Sequence, residues 1–298
     1  NGLASDVALA KAVEQTAGTG GVMPTHLYGF VQEYPRTIEV ARRRGWFLLE
    51  NDCLATKARS IQCDGASAFG DGLVVSFGRG KTLDAGGGGG AFLTNDAVLA
   101  KGLQSRAKLY PSLDRIAHDR EVSIVAKRRR LMNERPFAGS DVAMVERLFF
   151  EEIADLRYRF SEKLEAPLLR AIKALEAKVR SRRKRLSWWH SALQPYNERV
   201  PSSALAQPAP WRAIRRVPDI RDKVVFELRA SGYDAGTNYP PLSLYFPILL
   251  KDQRFYEADA WGAEVLNLWV SENYDRAHIQ RAADIFKRCL DEQDQLAR

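Results

Sequence analysis

Cysteine is scarce in this chain. Cys53, Cys63 and Cys289 are its three cysteines in 298 residues, at no spacing that suits a disulfide framework or a zinc site. That excludes a disulfide-stapled fold and suggests a reducing, cytoplasmic setting. Long apolar runs are missing as well, and none approaches the ~20 residues that a membrane-spanning helix needs. The opening segment, NGLASDVALAKAVEQ, lacks the charged-then-apolar order of a secretory signal. It also lacks an initiator methionine and starts directly on a helix-like pattern.

What is present is a balanced globular composition, 45% hydrophobic and 28% charged, in a chain long enough for one large or two ordinary domains. The charge is basic, 45 Lys+Arg against 37 Asp+Glu. Much of the excess lies in KRRR (127–130) and RSRRKR (180–185). Neither run carries the interleaved aromatics that stack on bases, so a solvated helix face or attraction of an anionic small substrate is preferred to nucleic-acid binding.

Along the first half, apolar segments alternate with a helix. VMPTHLY (22–28) reads as a short buried strand with a polar end. PRTIEVARRRG (35–45) reads as a helix opened by proline and closed by glycine. FLLENDC (47–53), LVVSF (73–77) and GAFLTN (90–95) read as further strands. This is the pattern of an α/β fold with a mostly parallel sheet and flanking helices. Ligands bind such sheets at the carboxyl ends of the strands, which gathers His26, Asn51, Asp52, Ser76 and Lys81 at one crevice. From about residue 97 to 195 the pattern is helical and charged. EAPLLRAIKALEAKV carries Leu168, Leu169, Ile172, Leu175 and Val179 at helical spacing. RDKVVFELRASG (221–232) reads as a helix, WGAEVLNLWV (261–270) as strand-like, and YDRAHIQRAADIFKRCLDEQ as a closing amphipathic helix. The expected division is 1–160, a cofactor-binding large domain, partial; 161–195, a long connecting helix; and 196–298, a small α+β domain.

The segment SFGRGKTLDAGGGGGAFLTND (76–96) concentrates the chemistry. Lys81 follows a strand end and precedes five glycines, a run costly to order unless backbone must approach something closely. A lysine amine forms a Schiff base with an aldehyde, which is how pyridoxal phosphate (PLP) is attached. That cofactor also needs an acid on its pyridine nitrogen and donors for its phosphate.

HLYG (26–29), LLENDC (48–53) and FGDGLVVSFGRGKTLDAGGGGGAFLTND (69–96) resemble the DegT/DnrJ/StrS family, sugar aminotransferases of the aspartate-aminotransferase fold. The family carries "PVHLYG", a strand ending "IED", and "GSFGD…SF" followed by a lysine and a glycine loop ending "GGAVVTND". RDKVVFELRASGYDAGTNYPP is similar to its "RDELxxxLxxxGIxxxxHYPP". The resemblance covers most of the chain outside 101–160. It implies a fold type I PLP-dependent transferase. Lys81 would hold the cofactor and shuttle the proton, Ser76 would bind the phosphate, and His26 would be a candidate cofactor contact. Asn238 and Tyr239 would lie in a substrate loop. The glycine run would cross toward a second subunit.

Two positions depart from the pattern. Aligned without a gap, the family's pyridinium acid falls on Asn51, which cannot form the ion pair. Asp52, 29 residues before Lys81, suits both spacing and chemistry, with a one-residue bulge as the device that would turn it inward. The ring-side Gln or His of the family falls on Leu54 or Ala55. His26 reads equally as a hydrogen-bonded strand-end histidine. Trp261, Trp269 and the WWH at 188–190 read as packing. The family's large domain also begins earlier than this sequence, with the phosphate-gripping "SGT" loop. The resemblance therefore implies a homodimer, or a heteromer with a chain supplying those strands and that loop.

These readings point to a PLP-dependent aminotransferase acting on a keto-sugar nucleotide or related cyclic ketone, with glutamate or glutamine as donor. Retention of the lysine argues against the family's dehydratase branch, which has histidine there. A catalytically impaired partner subunit is the rival expectation, and a nucleic-acid module a lesser one. No metal and no membrane are expected.

Overall fold

The computed structural model describes residues 2–56, 70–78, 80–86, 88–112, 123–124, 126–127, 147, 158–198, 207–239 and 255–296. The KRRR run beyond Lys127 and the YPP segment from 240 onward lie outside them.

Helix α1 (Asp6–Gln15) is followed by strand β1 (Gly21–Val22), helix α2 (Pro35–Arg43) and strand β2 (Phe47–Asn51). Strands β3 (Gly72–Ser76) and β4 (Gly90–Leu93) complete a four-stranded sheet of order β1-β2-β3-β4. β1, β2 and β3 are parallel, and β4 is antiparallel to β3. β1 is shorter than the sequence suggests. Beyond Val22 the chain stays extended, with one further bridge from Thr25 to Asn51, and Met23 lies half exposed.

Local chemistry fixes these elements. Pro35 opens α2, where a missing N–H costs nothing. The N–H groups of Arg36 and Thr37 are taken by the Asp6 carboxylate of α1. Ala10 and Val13 of α1 then pack on Val40 and Ala41 of α2 and on Trp46. The Thr-Asn-Asp after β4 is a helix start: Asp96 accepts from the N–H groups of Val98 and Leu99 and caps α3 (Ala97–Ala107). Of the glycine run, Gly89 has φ +93°, and a Cβ there would lie 2.8 Å from the Phe160 ring. A Cβ on Gly90 would lie 2.7 Å from the Val75 carbonyl oxygen. These two glycines let the backbone close onto the same chain.

Helix α4 (Glu165–Leu193) spans two apolar clusters. Leu175 and Val179 pack under Leu73, Val75 and Phe77 of the first sheet. Trp189 and Leu193 pack into a second cluster with Val224, Leu228, Leu266, Leu268 and Phe286. That cluster underlies a three-stranded antiparallel sheet of order β5-β7-β6, made of β5 (Arg212–Arg216), β6 (Ala235–Gly236) and β7 (Val265–Trp269). Helices α5 (Arg221–Ala230), α6 (Tyr256–Glu264) and α7 (Arg276–Leu296) complete this half. Residues Trp261 to Glu264, expected as strand, instead close α6. Extended structure begins only at Val265, where the apolar run VLNLW is buried along almost its whole length.

Candidate active site

Strand alternation sets the geometry. Successive residues of a strand face opposite sides of the sheet, and Glu50 pairs with Leu73 and Asn51 with Val74. Asn51 therefore shares a face with Val74 and Ser76, and Asp52 shares the opposite face with Leu73 and Val75. The ladder runs through regularly. Asn51 bonds to the β1 side through Pro24 and His26, and the Asp52 N–H bonds to Val74 on β3. No bulge interrupts β2, so the expected inward turn of Asp52 does not occur by that route. The Asn51 amide oxygen is engaged locally, accepting from the Cys53 N–H at 3.1 Å. Asp52 is fully buried.

His26 is also buried, with Nε2 3.3 Å from Glu50 Oε2. Its ring therefore serves the β2 carboxylate two residues before Asp52. Leu54 packs with Tyr28 and Trp211, and Ala55 with Leu73 and Val75, so both are apolar wall.

After β3 the chain turns through Gly78, whose N–H donates to Ser76 Oγ at 3.2 Å. The space a Cβ on Gly78 would enter is bounded by Ser76 Oγ at 3.4 Å and Lys81 Cγ at 3.9 Å. Gly80, with φ +78°, delivers Lys81. The amine lies 5.9 Å from the Trp211 ring centroid. Burial lowers its pKa below the usual lysine value, the Cys53 thiol opposes that shift, and the Arg212 guanidinium adds to it. Burial raises the Cys53 pKa in turn, against the pull of Lys81.

The wall facing Lys81 joins Tyr239, expected in the substrate loop, to residues that the sequence did not assign to the site. Tyr28, at φ 60° within HLYG, is ringed by Phe30, Trp211, Tyr239 and Trp261 at centroid distances of 6.0–6.3 Å. Its hydroxyl accepts from the Tyr239 N–H at 3.0 Å and from Trp261 Nε1 at 3.2 Å. Trp211 and Tyr239 stack at 6.1 Å and 13°. Burial pushes the Tyr239 phenol up to about 12. Asn238 is held by its N–H on Asn267 Oδ1 at 2.9 Å. Arg212 lies between the rings of Trp211 and Trp269. Trp261 and Trp269 are half-buried: Trp261 packs on the cluster of Tyr28, Phe30, Leu54 and Trp211 as expected, and Trp269 also carries Arg212.

The RSRRKR run is a solvated face only in part: Arg180, Arg183 and Lys184 are exposed, while Arg182 and Arg185 turn inward. Arg182 is buried and donates to the carbonyls of Lys81 (3.4 Å) and Pro210 (3.5 Å), and Arg183 and Arg185 reach the backbone of Pro208 and Tyr274. Guanidiniums satisfy otherwise bare loop carbonyls here, a use that a charge count cannot reveal. Trp189 is packed as expected, with Nε1 donating to the Trp269 carbonyl. Among the described residues no cluster of metal-ligating side chains occurs, and no helix is long and apolar enough to cross a membrane.

The residues on the Ser76 side suit PLP: the Lys81 amine, whose pKa burial lowers, and the Ser76 hydroxyl flank the turn at Gly78, while the buried Asp52 carboxylate ends the neighbouring strand on the other face.

The chain can be set beside known proteins. UDP-N-acetyl-3-dehydro-alpha-D-glucosamine 3-aminotransferase of Acidithiobacillus ferrooxidans is 35% identical over 89 residues, 30% of this chain and 24% of that protein. GDP-perosamine synthase of Caulobacter vibrioides is 24% identical over 274 residues, 89% of this chain and 65% of that protein. The chain thus spans less than two thirds of either relative's length. Among solved structures, S. venezuelae DesV superposes with a TM-score of 0.68 at 21% identity, covering 96% of this chain and 68% of that one. This likeness establishes the fold as type I, a parallel-rich sheet with a smaller α+β partner. A model of the DegT/DnrJ/EryC1/StrS aminotransferase family matches residues 3–287, and the chain belongs to that family.

Proposed function

We propose that the chain is the catalytic part of a PLP-dependent aminotransferase acting on a keto-sugar nucleotide or related cyclic ketone, with glutamate or glutamine as amino donor. The observation that carries this reading is the setting of Lys81: an amine whose pKa burial lowers, at a strand end, behind Gly78 and facing aromatic rings. Family membership supports the reaction class, and the UDP- and GDP-sugar names of the relatives support the acceptor class.

Lys81 and Asp52 are assigned as catalytic. Bound here, PLP would supply an aldehyde for the lysine and a ring that takes up an electron pair. The lowered pKa leaves more of the Lys81 amine neutral near pH 7, able to attack a carbonyl and to carry a proton. Ser76 Oγ is assigned to the phosphate. Asp52 is assigned to the pyridine nitrogen on the strength of its charge and full burial, with Asn51 and His26 as neighbouring contacts. Asn238 and Tyr239 are assigned to substrate. The division at 1–160, 161–195 and 196–298 belongs to the same reading, supported by the separate apolar clusters at the two ends of α4.

The assembly we infer is a homodimer, or a heteromer whose other chain adds strands and the phosphate loop. The greater length of the relatives supports it, as does the position of β1 and β4 at the margins of the sheet. The cytoplasmic setting is supported by the free thiols of Cys53 and Cys289.

A second reading, a catalytically impaired partner subunit, is favoured by one observation. The residue on the Ser76 face of β2 is Asn51, and the carboxylate is on the other. The test is direct. The chain, with any polypeptide that completes its large domain, is mixed with PLP and its absorbance scanned. A visible band that disappears in Lys81→Ala supports the enzyme. Absence of the band in the completed assembly supports the impaired subunit.

A further inference from the structure

We propose that Arg212, packed against two indole rings, is the receptor for the carboxylate of the amino-acid donor. The inference rests on the aminotransferase reading and deepens it.

Arg212 opens β5 opposite Trp269. Its Cζ lies 3.2 Å from the Trp269 ring centroid and 4.2 Å from that of Trp211. The residue is 6% exposed, and Nη1 donates to the Trp211 carbonyl at 3.0 Å. Among the described residues no carboxylate comes within ion-pair distance. The charges acting on it include Arg182, which repels, and Asp234, which attracts from farther away. Burial, and then Arg182, push the guanidinium down to about 9. Among the described residues this desolvated cation has no carboxylate in contact with it, and a bound anion would supply one.

Chemistry selects the anion. Arg212 Cζ lies close to both indole rings, and a guanidinium matches a planar carboxylate through paired N–H groups. Position selects the source. A Cβ on Gly80 would lie 4.0 Å from Arg212 Nη2, and the next residue is Lys81, whose amine Arg212 influences directly. In an α-amino acid the carboxylate is attached to the carbon that bears the amine, so an anion site beside the reacting lysine fits it. In a sugar nucleotide the diphosphate leaves from the anomeric carbon, several bonds from a ring ketone.

The flanking tryptophans report occupancy. Glutarate, a dicarboxylate without an amine, is titrated into the full chain while tryptophan fluorescence is followed, with UDP as the phosphate probe. Saturable quenching by glutarate is expected, undisturbed by UDP and weakened about tenfold or more in Arg212→Gln. Arg212→Lys, which keeps the charge and loses the planar fork, is expected to weaken glutarate as well, and it decides the matter should the Gln variant fail to fold. Three results overturn the proposal: no glutarate response, a response equal in the Arg212 variants, or Arg212-dependent saturation by UDP. Attachment of PLP is measured on the same samples. Glutarate binding without attachment breaks the aminotransferase reading and leaves the anion site. Attachment without glutarate binding does the reverse.

Discussion

Trp211 Nε1 donates to the carbonyl oxygen of Gly80 at 3.1 Å, and the residue after Gly80 is Lys81. A tryptophan just ahead of β5 thus fastens the turn that presents the lysine from the first sheet. Lys178 and Arg182 of α4 hold the same turn from the other side, each donating to the Lys81 carbonyl at 3.4 Å. The Lys81 side chain is positioned by its neighbours' backbone contacts, which leave the amine 5.9 Å from the Trp211 ring centroid.

Trp211→Phe keeps an aromatic ring and removes the donor to Gly80. The loss is expected to be about 1 kcal/mol, that of one hydrogen bond to a partly buried carbonyl. Urea unfolding measures it. The same variant is expected to slow covalent PLP attachment, since the turn gains freedom. Unchanged attachment would mean that α4 alone positions the lysine.

Lys81 gives a pH signature. Its folded-state pKa is lowered from 10.5, chiefly by burial. The folded chain therefore binds fewer protons than the unfolded chain between the lowered value and 10.5, and stability rises with pH across that window. Below it, the full cost of burying the cation is present. Lys81→Met removes that cost. Its melting temperature is expected to exceed that of the natural chain at pH 7, with the gap shrinking as pH approaches 10.5. A gap independent of pH would contradict the burial of the amine.

Sequence periodicity located the parallel strands, α2 with its proline and glycine ends, and the lysine turn, because each is written in consecutive residues. Apart from Tyr239, the wall opposite Lys81 was not legible. Tyr28, Trp211, Arg212, Tyr239 and Trp261 converge from four separated segments, and no local pattern records a contact between them. Trp261 and Trp269 look like core by composition, yet one binds the Tyr28 hydroxyl and the other carries Arg212. Within the RSRRKR run the buried Arg182 escaped for the same reason, since charge says nothing about which carbonyls a guanidinium will reach.

Gly29 is a place where only glycine fits. It sits at φ +91°, and a Cβ there would run into the Ala209 carbonyl. Gly29→Ala is expected to cost about 2 kcal/mol or more, from backbone strain and forced displacement together. It would also move Tyr28 and the rings stacked on it. Gly18→Ala is the control. It has φ +81° with nothing within 4 Å, so it should cost about 1 kcal/mol from backbone strain alone. Chemical denaturation of the two variants separates the close approach from the conformational term.

The acid of the site remains the sharpest discriminator between enzyme and impaired subunit. Asp52 has the charge and the full burial, while Asn51 has the face of Ser76 and an amide already tied to the Cys53 N–H. If Asp52 supplies the charge, Asp52→Asn is expected to lower kcat about a hundredfold, the scale of losing one preorganised charge-stabilising group. Asn51→Asp should then change kcat little, because the second carboxylate duplicates a function already filled. If Asn51 is the position that faces the ring, the order reverses: Asn51→Asp raises kcat and Asp52→Asn affects stability alone. Steady-state kinetics on the two variants, with the unfolding free energy of each measured alongside, distinguishes a lost charge at the reacting centre from a lost buried group in the sheet.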